Sequence, residues 1–147
     1  MNKKVLISLL VVGVIGGCIA YAKNTSETTL DFLTAFQNCA EFKSTDVIEA
    51  DGISSKVTKH IVGWDGYTCK YRETVEFKEL GFKSKVNCEF SGEQVREIYT
   101  VMQNEADEAK KNPEKYKNMS LKEAQNSPVL KVWNKYLGDS SVCKIEM

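Results

Sequence analysis

Five cysteines and a single histidine bound the chemistry open to this chain of 147 residues. His60 is the only histidine, so a triad or a histidine-bound metal must be built around it or be absent. If Asp65-Gly66 forms a two-residue hairpin turn, His60 falls opposite Tyr71 and diagonal to Glu73, all on the apolar face of a strand pair. A histidine with an adjacent carboxylate is a general base with its orienting partner, which makes His60 and Glu73 the candidate catalytic pair. A hydrogen-bonded polar cluster within the core explains the same placement without catalysis. No nucleophile elbow, phosphate loop, zincin or EF-hand pattern accompanies the pair, so the balance favours a protein that is not an enzyme. No cofactor and no metal are expected.

The cysteines are read through the N-terminus. Met1-Asn2-Lys3-Lys4 is a short positive region, Val5 to Ile15 is mostly apolar, and Ala20-Tyr21-Ala22 has the small-x-small pattern of a signal-peptidase site. These features predict a signal peptide over 1–22 and a single exported α+β domain over 23–147. Ile15-Gly16-Gly17-Cys18 offers a rival, a lipoprotein signal over 1–17 with lipidation at Cys18. A retained anchor is the third option, since Val5 to Ala22 just suffices to reach across a ~30 Å hydrocarbon core. The expected location is periplasmic or extracellular, or membrane-anchored if Cys18 is lipidated.

Once Cys18 is set apart, Cys39, Cys69, Cys88 and Cys143 remain, an even number in an exported chain. Their wide spacing contains no C-x-x-C pair, which argues against a zinc site or a thioredoxin-like pair and for two disulfides. Cys39–Cys69 with Cys88–Cys143 is the favoured pairing, and Cys39–Cys88 with Cys69–Cys143 the alternative. Twenty basic residues balance twenty acidic ones. Losing Lys3 and Lys4 with the leader leaves an excess of two acidic residues. That balance gives no footprint for nucleic acid, and it leaves the N-terminus as the expected membrane contact.

The elements that must position these residues follow from periodicity. Leu30, Leu33, Phe36 and Ala40 recur at helical spacing and predict a helix from Thr29 to Ala40. Asp51-Gly52 and Asp65-Gly66 predict type I′ turns, and Lys78 to Gly81 a four-residue turn that sets Phe77 opposite Phe82. Together they give a four-stranded antiparallel meander. Tyr67, Tyr71, Trp64, Phe77, Phe82 and Phe90 are expected in its core, whereas Trp133 and Tyr136 are expected nearer the surface. Ser91 with Gln94 forms a capping box that opens a second helix, and Ser127-Pro128 opens a later one that stops at Gly138. The fold expected is α+β: an N-terminal helix, the meander, then two or three C-terminal helices packed on one sheet face, stabilised by disulfides.

Helix-then-meander order is similar to cystatin-like architectures. That likeness of topology implies a proteinase-inhibitor-type role, which would need an exposed wedge at the Asp65-Gly66 turn where Trp64 protrudes. The leading expectation is a non-enzymatic module that binds an envelope or extracellular protein, or a small ligand. A small enzyme using His60 with Glu73 is the runner-up.

Overall fold

A computed structural model describes residues 27–147 apart from residue 51. The expected signal peptide, its expected cleavage site and Cys18 lie outside the described residues. Helix α1 (Glu27–Asn38) precedes strands β1 (Phe42–Ala50), β2 (Ile53–Asp65), β3 (Thr68–Phe77) and β4 (Phe82–Ser91). Helices α2 (Gly92–Lys111), α3 (Pro113–Lys117), α4 (Leu121–Gln125) and α5 (Pro128–Leu137) follow, and strand β5 (Cys143–Glu146) closes the chain. The architecture is α+β, with a five-stranded antiparallel sheet in the order β1-β2-β3-β4-β5.

The fifth strand corrects the four-stranded expectation. β5 is too short to show alternation by itself, and it pairs with β4 from Cys88↔Cys143 to Lys85↔Glu146. The helical segment is also more broken than expected, because Asn112-Pro113 and Asn126 to Pro128 each restart a helix. Local signals act where they were read. Ser91 accepts from the Gln94 backbone N–H while Gln94 accepts from that of Ser91, and Ser127 accepts from the Leu130 N–H. Ser120 and Glu123 make a second reciprocal box at α4.

Helix α1 ends in a Schellman motif. The Cys39 N–H donates to Phe36 O and the Ala40 N–H to Ala35 O, with Cys39 at φ 47°, a position usually given to glycine. The left-handed residue turns the chain from helix into β1 and brings Cys39 to the sheet, where it is bonded to Cys69 at the start of β3. Cys88 of β4 is bonded to Cys143 of β5. By loop-closure entropy, bridges over separations of 30 and 55 residues contribute about 3.6 and 4.2 kcal/mol.

The inner sheet face carries Val57 and Ile61 of β2, Tyr71, Val75 and Phe77 of β3, and Val86 and Phe90 of β4, all buried. Phe32, Phe36, Val95, Ile98 and Trp133 come down on it from the helices. Trp133 lies 5.5 Å from Tyr71, 5.8 Å from Phe90 and 5.9 Å from Phe36, ring centre to ring centre, and forms the hub of the aromatic core. Trp133 and Tyr136 are therefore buried, against the expectation that they approach the surface. α5 is covered on most of its circumference, with Val129, Leu130 and Val132 buried as well.

Candidate functional site

The β2–β3 hairpin decides the fate of the His60–Glu73 pair. Asp65 faces Thr68, so the turn holds Gly66 and Tyr67, one residue later than the Asp65-Gly66 turn expected. Gly66 has φ +62° and Tyr67 does not share that sign, the pattern of a type II′ turn with glycine first. The register then slips between Ile61 and Gly63, leaving Val62 unpaired in a bulge. Gly63 sits there at φ +121°, a conformation strained for any other residue.

A later turn moves every partner by two positions, and the bulge takes one back. The net displacement of one residue exchanges the faces of β2 relative to β3. His60 consequently pairs with Arg72, and Ile61 takes the place opposite Tyr71. His60 lies on the outer face and Glu73 on the inner one. The candidate catalytic pair does not form.

Glu73 has other company. Its register partner on β2 is Lys59, and the Tyr71 hydroxyl donates to its Oε2 at 2.7 Å. Only 4 % of Glu73 is exposed. Burial pushes its carboxyl above the ordinary glutamate value, partly offset by the Lys59 charge and the Tyr71 hydrogen bond. Burial also drives the Tyr71 phenol well above its usual value, reinforced by the negative charge of Glu73. Lys59 places its Nζ 5.3 Å from the Phe32 ring centre, so its stem crosses apolar surface beneath α1. Ser84 on the same face keeps a buried hydroxyl with no partner among the described residues, diagonal to Glu73 across β3 and β4.

This trio has proton-carrying groups but is closed over. Phe32, Phe36, Phe90 and Trp133 stand around the Tyr71 ring, each within 6.4 Å between centres. The arrangement suits a polar knot that fixes the core packing, since a substrate would have to displace aromatic rings to reach it. Lys59 was not singled out in the sequence, because the expected register placed it on the wet face. A second polar knot joins α2 to α5: Glu97 accepts from the Tyr136 hydroxyl and from Lys135 at 3.0 Å. The hydrogen bonds from Tyr136 and then Lys135 draw the Glu97 carboxyl below its ordinary value. Among the described residues, no three of His, Cys, Asp and Glu converge as a metal site.

The tip of the same hairpin is the opposite of closed. Tyr67 is 95 % exposed and Trp64 48 %, although the expected turn put both in the core. Tyr67 left the strand because it became the second turn residue. Trp64 is held beside it: its Nε1–H donates to Asn38 O at 3.1 Å, and Cys69, the register partner of Trp64, is bonded to Cys39. Lys70 and Asp65 pair on the outer face of the tip at 2.5 Å, and the Thr68 hydroxyl donates to Asp65 O. The result is a tethered hairpin end that presents two aromatic side chains.

Neither the family models, the curated proteins nor the solved structures contain a match to this chain.

Proposed function

We propose that this chain is an exported, disulfide-bonded module that binds a protein partner through the tip of the β2–β3 hairpin and performs no catalysis. The observation that carries the reading is Tyr67, an almost fully exposed aromatic residue on a hairpin tied to α1 through Cys39–Cys69 and Trp64. Rigid aromatic side chains supply large contact area at low entropic cost, which is why tyrosine and tryptophan dominate binding hot spots. Export is supported by the leader-like N-terminus and by the pairing of Cys39, Cys69, Cys88 and Cys143, a use of cysteine suited to oxidising compartments. Among the described residues no helix is long and apolar enough to cross a membrane. The leader is removed after Ala22, or before Cys18 with lipidation of that residue, and the destination is periplasmic or extracellular. The protruding tip is also the wedge that a proteinase-inhibitor-type role requires.

Two measurements test the proposal. Mass spectrometry of the protein from its native host should find an N-terminus at Lys23 or a lipidated Cys18; an intact Met1 in a cytosolic fraction overturns export. A photo-reactive residue at position 67 should crosslink to one discrete partner, with no product from the same probe at position 79 on the opposite end of the sheet. Equal crosslinking from both positions, with the free protein unaffected by Tyr67→Ala, rejects the tip as the contact.

A further inference from the structure

The open face of the sheet carries a charge pattern that the neutral composition hides. Register places Lys43, His60, Arg72, Asn87 and Lys144 side by side, one from each of the five strands. Directly opposed residues share a face, and none of these five is buried. At ~4.8 Å between strands the row spans about 19 Å, with Lys43, Arg72 and Lys144 about 10 Å apart. It contains no acidic residue.

The carboxylates of this face stand in the rows to either side, each opposite or beside another cation. Glu76 stands between Lys56 and Lys83, Glu146 opposite Lys85, and Lys70 is flanked by Asp65 and Glu89. Lys43, Arg72 and Lys144 make no ion pair among the described residues. Beside the row runs a second one of hydroxyls, Thr45, Thr58 and Thr74, with the Thr45 and Thr58 oxygens 3.1 Å apart.

We propose that this row binds a linear acidic polysaccharide laid across the strands, independently of the hairpin tip. Charge complementarity selects an anionic partner, and the narrowness of the cationic strip, bordered by carboxylates, selects a single extended chain over a broad surface. The threonine shelf matches a polymer that carries hydroxyls between its acidic groups. A chain of sugar acids repeats on roughly the scale of one strand interval, so alternate carboxylates meet Lys43, Arg72 and Lys144 while the others face His60 and Asn87. Among the described residues no aromatic side chain lies on this face to stack a nucleic-acid base, and Val47 is the strongly exposed large apolar residue on it, which leaves little to enter a lipid layer.

Polygalacturonate is the probe, titrated against the full chain with both disulfides formed, at low and at physiological salt. Binding should weaken as salt rises, and Arg72→Gln with Lys144→Gln should weaken it at least tenfold at low salt. Each lost cation should flatten the plot of log affinity against log salt by about 0.7, the figure for single-stranded nucleic acid. Both substituted positions are exposed, so the thermal midpoint should stay within about 2 °C, and Tyr67→Ala should leave polygalacturonate binding unchanged. No binding at low salt, binding that survives the double substitution, or tighter binding to single-stranded DNA or to phosphatidylglycerol vesicles than to polygalacturonate would each overturn the proposal. Loss of polysaccharide binding in Tyr67→Ala would place the polymer at the tip and overturn it as well.

Discussion

Replacing Tyr71 with phenylalanine removes one oxygen from the core and leaves the ring in place. The lost atom is the donor that reaches Glu73 Oε2 at 2.7 Å in a site shut off from water. A hydrogen bond to a charged acceptor contributes about 1.5–3 kcal/mol, whereas one to a neutral acceptor contributes about 0.5–1.5 kcal/mol. The destabilisation should therefore depend on the protonation of Glu73. Because the folded protein raises the Glu73 pKa, the folded state holds that proton more tightly than the unfolded chain does. The stability this provides is complete below the unfolded glutamate pKa and is lost as pH rises through the folded value. Tyr71→Phe raises the folded value further, so the loss continues to higher pH and the gap between variant and parent widens. Urea unfolding at pH 4.5 should show a difference of about 1 kcal/mol, growing to about 2–3 kcal/mol at pH 8 with an unchanged denaturant slope. In a Glu73→Gln background the same substitution should show no widening. A difference that stays constant or narrows with pH, or that widens equally in the Gln background, refutes the coupling.

The remaining expectations are simpler to check. Cys39→Ala with Cys69→Ala should cost about 3.6 kcal/mol and Cys88→Ala with Cys143→Ala about 4.2 kcal/mol in urea unfolding, from the lengths of the loops they close. Trp133→Ala should cost about 3–5 kcal/mol, because it empties the centre of the ring cluster, and calorimetry should show the fall in midpoint. His60→Gln should leave stability within about 0.5 kcal/mol, as befits a partly exposed residue on the outer face.

Local devices could be read from the sequence where neighbours decide the outcome. The Ser91–Gln94 box, the Ser127-Pro128 start and the four-residue turn that aligns Phe77 with Phe82 each depend on contacts within a few residues. Ala50 and Ile53 likewise pair where the dipeptide at 51–52 predicts a turn, with Gly52 at φ +75°. The β2–β3 hairpin escaped because glycine serves either position of a two-residue turn, and Gly63 gave a bulge no sequence neighbour demands. One residue of error there moved His60 away from Glu73, brought Lys59 to it, and lifted Tyr67 out of the core. β5 was missed for a different reason: its pairing partner is 55 residues earlier at Cys88, beyond the reach of any local pattern. The cationic row is a property of register across five strands, so a charge count that sums to zero cannot reveal it.

The two bridges also decide how the molecule carries a load. Pull on α1 and on the C-terminus, and tension passes from Cys39 across its sulfurs into β3, and from Cys88 across to Cys143. Both bypassed segments, closed over sequence separations of 30 and 55, are slack. Roughly 35 residues remain to be drawn out, about 120 Å at ~3.4 Å each, even after complete unfolding. β1, β2 and the whole run from α2 to α5 lie off the line of force. Held at its N-terminus and tugged by a partner, such a chain behaves as a short strut with a stop on its travel, and reduction of its sulfurs removes the stop.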